Sequence, residues 1–193
     1  MEPDSHKEKI QSPDGQSWIT VALVEDQKDP DGLYTRVTVT RKGKKLSARL
    51  DGFRSEILWA GDSRSFIVNQ TEGGGGFGQR AYLFQITSNG VKKIDLSAPV
   101  ERAFGFQGDC ELRVLPQTAA LGWLAADRIL MAAEVVNVSV CKYQGTFKTY
   151  ELSLPSLQVV ASHTQGESKR LFPRFLGCEL RDADDHLAVK WQK

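Results

Sequence analysis

The stretch Thr71 to Gln79, T-E-G-G-G-G-F-G-Q, is the first candidate for chemistry. Consecutive glycines let backbone amides close around a phosphate. A phosphate loop, however, needs G-x-x-x-x-G-K-[S/T] at a strand-to-helix turn. Here Gly78 is followed by Gln79-Arg80 and a strand-like run, so no Lys-Ser/Thr pair and no helix N-terminus is at hand to hold an anion. Two readings are left: a hairpin connection, or a binding loop in which Phe77 is an apolar anchor and Arg80 pairs with an acid. His6, His163 and His186 stand in no metal-binding spacing. Asp182-Ala183-Asp184-Asp185 is the one local acid cluster, and it lacks the later oxygen ligands and Glu of a calcium loop. No G-x-S-x-G elbow occurs. Cys178 and His186 form a nucleophile–base pair only if the fold makes them converge. The expectation is therefore no catalytic set, no metal and no cofactor.

The three cysteines, Cys110, Cys141 and Cys178, are an odd number at wide spacing, which fits neither a zinc framework nor a C-x-x-C pair. They read as buried thiols, or as one disulfide with one thiol left over. The 193 residues carry a net charge of +1, 40% hydrophobic and 25% charged residues. Such a composition is ordinary for a globular chain and gives no overall field toward nucleic acid. The basic run Arg41-Lys42-Gly43-Lys44-Lys45 has no interleaved aromatics and reads as a solvated turn. No apolar run reaches the ~20 residues of a membrane helix, and M-E-P-D-S-H-K-E-K contains no signal-peptide apolar region.

These residues are positioned by a repeat. S-P-D-G-Q-S-W-I-T-V (Ser12 to Val21) superimposes on A-G-D-S-R-S-F-I-V-N (Ala60 to Asn69) at an offset of 48, matching Asp14 with Asp62, Ser17 with Ser65 and Trp18 with Phe66. The same offset puts Tyr34 on Tyr82, Lys44-Lys45 on Lys92-Lys93 and Leu46 on Ile94. A looser third copy begins at Trp123-Leu-Ala-Ala-Asp127, and D-A-D-D-H-L-A-V-K-W opens an incomplete fourth. Each copy reads as short antiparallel strands of alternating polarity joined by Asp/Gly/Ser turns. The first copy needs an innermost strand, which either Lys7 to Gln11 or the C-terminal L-A-V-K-W would supply. Thr118 to Ala126 is the window closest to helical spacing. Aromatics at repeat positions, Trp18, Trp59, Phe66, Trp123, Tyr34, Tyr82 and Tyr150, are expected in the core.

Four strands per copy is the make-up of a β-propeller blade. S-P-D-G-Q-S-W-I, W-A-G-D-S-R-S-F-I-V and Tyr82-Leu83-Phe84-Gln85-Ile86 resemble the WD40-like PD40 repeat of TolB-type propellers. That resemblance implies an all-β fold of antiparallel four-stranded sheets in a propeller-like arrangement of about three and a half blades. It covers about two thirds of the chain, which reads as one domain over 1–193, with copies at about 7–52, 55–98, 110–162 and a partial one at 171–193. It departs from the family in blade number, since such propellers close with six or seven.

The function implied is a non-catalytic binding module that takes a protein partner through inter-strand loops. A bacterial envelope, periplasmic or secreted protein, including an inhibitor or immunity type, is the concrete version, with a cytoplasmic location as the alternative. The contact candidates are residues outside the repeat pattern: Phe77, Arg80, Phe104, Phe106 and Tyr143. Phe104-Gly105-Phe106 is either a buried plug or an exposed anchor. Nucleic acid and a membrane span are not expected, and a homodimer completing the sheets is. The alternatives are a propeller hydrolase or its accessory domain, and a carbohydrate or small-ligand module.

Overall fold

Alternating polarity and β-branched side chains dominate this chain, and in the computed structural model they fold it mostly into strands. The structure describes residues 8–25, 33–50, 54–71, 78–105, 115–136 and 141–191. The strands are β1 (Glu8–Gln11), β2 (Ser17–Glu25), β3 (Leu33–Arg41), β4 (Lys44–Leu50), β5 (Arg54–Trp59), β6 (Ser65–Thr71), β7 (Gln79–Ile86), β8 (Val91–Asp95), β9 (Gln117–Ala125), β10 (Arg128–Glu134), β11 (Phe147–Ser153) and β12 (Gln158–His163). They form three four-stranded antiparallel sheets, each running through consecutive strands: β1-β2-β3-β4, β5-β6-β7-β8 and β9-β10-β11-β12. The helices are α1 (Ser97–Phe104), α2 (Gln165–Leu171), α3 (Cys178–Asp182) and α4 (Asp185–Trp191). Among the described residues no helix is long and apolar enough to cross a membrane. The chain divides into two compact units: residues 1–75 with 81–95, and residues 76–80 with 96–193.

In the first unit the 48-residue repeat is a register. Gln11 opposes Trp18 and Lys9 opposes Thr20, while Trp59 opposes Phe66 and Ile57 opposes Val68. β1 thus supplies the fourth strand that the first copy needed, paired to β2. The turns that follow also correspond. The Asp14 carboxylate accepts the Gln16 amide at 2.9 Å, and the Asp62 carboxylate accepts the Arg64 amide at 2.8 Å. The Asp14 amide donates to the hydroxyl of buried Ser63 at 3.0 Å, so the two turns are joined directly.

The third strand breaks the single offset. Leu46 opposes Val39, but Ile94 opposes Leu83, which stands 44 residues after Val39. Tyr82 therefore occupies the register of Thr38, and Tyr34 and Tyr82 share no structural position. The cause is the hairpin. Arg41 and Lys44 are linked by a two-residue turn, Lys42 (φ 48) and Gly43 (φ 77), the left-handed pair that matches strand twist. Gln85 and Lys92 are separated by a longer connection closed by the Thr87–Gly90 backbone bond of 2.9 Å. Between the sheets Ile19, Val37, Val39 and Leu50 pack with Phe66, Val68 and Phe84, all at 0 to 1% exposure.

In the second unit β10 is buried at Ile129 through Ala133, so both sides of that strand are covered. α1 crosses it on one side. Thr118 to Ala126, expected closest to helical, is strand β9 with alternating burial. The expected partial fourth copy is helical instead. Asp184 accepts the His186 amide at 2.7 Å, as an N-cap carboxylate does, and α4 follows. α2 starts from a capping box, Thr164 with Glu167. Buried Gln165 ties the parts together, accepting the Phe147 amide at 3.2 Å and donating to Asp185 at 2.8 Å.

Gly122 faces Phe175 so closely that a Cβ there would lie 2.7 Å from the ring. Gly122→Ala is expected to lower unfolding free energy by about 1–3 kcal/mol, as overpacking does. Phe175→Leu in the same chain should recover part of the loss in a thermal or urea melt. Equal stability of Gly122→Ala and the parent would refute the close packing.

Candidate partner-binding face

Equal register makes the first two sheets comparable residue by residue, and one face differs at most of its matched positions. In the second sheet the row Trp59–Phe66–Phe84 is aromatic: ring centroids are 5.2 Å apart for Trp59 and Phe66, and 5.1 Å for Phe66 and Phe84, the latter stacked at 9°. Lys93 ends this row opposite Phe84. The equivalent row in the first sheet is Gln11–Trp18–Thr40–Lys45. The next row holds Ile57 and Val68 in the second sheet, and Lys9, Thr20, Thr38 and Ser47 in the first. The apolar face packs on the core. Its counterpart on β1–β4 is mostly polar, with Lys9, Gln11, Arg36, Lys45, Ser47 and Arg49 exposed and Trp18, Thr20, Ala22, Val24, Tyr34, Thr38 and Thr40 half-buried.

Lys9, Arg36 and Arg49 on this outer face lie against aromatic rings. Lys9 Nζ lies 4.3 Å from the Trp18 ring centroid. The Arg49 guanidinium lies 4.3 Å from the Tyr34 ring, and Arg36 donates to the Tyr34 hydroxyl at 2.6 Å. Arg36 and Arg49 are directly opposed across β3 and β4, an arrangement of like charges that disfavours the pairing by itself. Thr38 and Ser47 hydroxyls are 3.1 Å apart between them. At the described outward positions of this sheet there is no acidic side chain.

The residues singled out from sequence are scattered. Phe77 and Phe106 lie outside the described residues. Arg80 pairs with Glu101 at 3.2 Å, both side chains largely covered. Phe104 is 2% exposed and is core, so the plug alternative is the one observed for it. Tyr143 is half-buried, and its carbonyl accepts the Thr146 amide and hydroxyl in a tight turn. Trp18 and Tyr34 were expected in the core by recurrence and stand instead on the solvent side. The signal in the sequence was the identity of the alternate residues: Y-T-R-V-T-V-T carries polar outward positions where Y-L-F-Q-I carries Tyr and Phe.

Elsewhere the ionisable groups fasten strands. Glu151 on β11 bonds Arg128 of β10 at 3.1 Å and His163 of β12 at 3.2 Å. Among the described residues no group of three or more His, Cys, Asp or Glu is placed to hold a metal. Cys141 is disulfide-bonded and Cys178 is free and exposed; Cys110 lies outside the described residues. Pro99, Arg102 and Ala103 of α1, with Leu157 to Val159, line a shallow cleft of about 440 Å³. No protein-family model matches the chain, and no curated protein is similar to it in sequence.

Glu134, at the end of β10, is pushed up to about 7 by burial, with Glu179 adding repulsion. The folded state therefore holds this proton more tightly than the unfolded chain. The resulting stabilisation is full below about pH 4.5 and is lost as pH rises through about 7. Stability should fall by about 2 kcal/mol across that window, and Glu134→Gln should flatten the fall. An unchanged slope in Glu134→Gln urea melts at pH 5 and 7.5 would contradict this.

Proposed function

We propose that this chain is a non-catalytic binding module that recognises a protein partner through the outer face of β1–β4. The observation that carries the reading is the exchange, at matched register, of Ile57, Trp59, Val68 and Phe84 for Lys9, Gln11, Thr20 and Thr40. A terminal sheet in a stacked array must present a polar face to stay soluble. Solubility alone is served by mixed charge, whereas this face carries one sign with two aromatic rings, as recognition surfaces do. The sheets are a propeller-like series of the PD40 kind in this reading, with β1–β4 as its end. The disulfide at Cys141 favours an oxidising compartment, the periplasm or the exterior.

The test uses bulk without charge. Thr38→Tyr with Ser47→Tyr fills the centre of the face with residues that strands accommodate well. Tagged parent protein is expected to capture a stoichiometric protein partner from periplasmic extract, and the double variant to lose it while keeping its melting temperature. Undiminished capture by the double variant would overturn the reading.

A further inference from the structure

The chemistry of that partner follows from the same face. We infer that the outer face of β1–β4 docks a short, extended, acidic segment of a partner protein; this rests on the binding-module reading above. Four cations, Lys9, Arg36, Lys45 and Arg49, lie at outward positions on three of the four strands. An acidic chain is the complement of such a surface, and charge complementarity sets specificity and association rate more than bulk affinity.

The face also limits the size of its occupant. Four strands are about 14 Å across, and Tyr34 to Thr40 runs about 20 Å, giving about 300 Å². A stable interface between folded proteins covers about 800 Å² per partner. The surface therefore suits a peptide-sized segment of about six residues, in which every second side chain faces the sheet. Thr20, Thr38, Thr40 and Ser47 lie between the cations and offer hydroxyls to the segment's polar groups.

Other occupants fit less well. A second copy of the chain packed face to face would oppose Lys9, Arg36 and Lys45 with the same cations. A single nucleic acid strand needs ring faces on which bases stack. Here Lys9 covers Trp18, and Arg36 and Arg49 attend Tyr34. A carboxylate needs no displacement: it can meet a guanidinium that the Tyr34 hydroxyl and ring already hold in place.

The experiment titrates the full chain into a fluorescein-labelled eight-residue peptide of alternating Glu and Thr, followed by anisotropy. The peptide is expected to bind, to weaken about tenfold between about 50 and 300 mM salt, and to weaken at least tenfold in the variant Lys9→Gln, Arg36→Gln, Lys45→Gln. All three residues are exposed, and the variant's melt confirms that it is folded. No binding at millimolar protein, equal binding by the triple variant, or tighter binding of an oligothymidylate or an oligogalacturonate would overturn the inference. Partner capture separates this from the broader reading. Capture lost in Thr38→Tyr, Ser47→Tyr but retained in the glutamine variant would leave a docking face whose occupant is not acidic. Capture retained in both would remove the two proposals together.

Discussion

A β-sheet has two faces, and each must either be buried against something apolar or be made of residues that water accepts. The first unit depends on how that constraint is met at one place. Trp59, Phe66 and Phe84 form a continuous aromatic row on the second sheet, packed against Ile19, Val37, Val39 and Leu50 of the first, with Phe66 and Phe84 fully buried. Each fully buried ring contributes about 1.5–3 kcal/mol before chain entropy is charged against it. If the first sheet carried the same row on its own far face, another sheet would have to cover it. Lys9, Gln11, Thr20 and Thr40 stand there instead, and the face stays open.

The junction between the two sheets is polar as well as apolar. The Asp14–Gly15 and Asp62–Ser63 turns sit side by side because the Asp14 amide reaches the Ser63 hydroxyl. Ser63 is fully buried and held at φ 56, a left-handed conformation that costs energy for a residue with a Cβ. Asp62 and the backbone of Ala60 hold the turn in that state. In the second unit the third sheet solves the constraint differently. Its inner strand β10 is buried from Ile129 to Ala133, and helices α1 and α2 lie against the sheet. The Gln165 side chain bridges strand β11 to helix α4 inside that packing.

Much of this organisation was legible in the residues. The Asp-containing turns, the strand pairs and the register of Trp18 with Phe66 follow from S-P-D-G-Q-S-W and A-G-D-S-R-S-F. What the sequence hid has specific physical causes. The third strand kept the parity of its side chains while sliding four residues, so Tyr34 and Tyr82 matched as letters without matching in space. Parity preserves the face a residue occupies, and a slide by an even number is invisible to a pattern of period two. The C-terminal helices were read as a strand because L-A-V-K-W alternates over too few residues to separate the two periods. The capping signals T-Q-G-E and Asp184 were the decisive marks. The binding candidates were sought in loops as large residues outside the repeat, and Phe104 and Arg80 proved to be committed to their own unit's packing. The open face was hidden in the repeat itself, since Trp18 looks like Phe66 until their neighbours across the ladder are compared.

The central claim is that polar residues on the outer face of β1–β4 keep a further sheet from packing there. Installing the second sheet's residues at the matched positions, Lys9→Ile, Gln11→Trp, Thr20→Val and Thr40→Phe, tests it most directly by sedimentation equilibrium. The account predicts that the substituted chain self-associates with rising concentration through the new apolar face, while the parent does not. A substituted chain that sediments as the parent does at every concentration, still folded by circular dichroism, would contradict it.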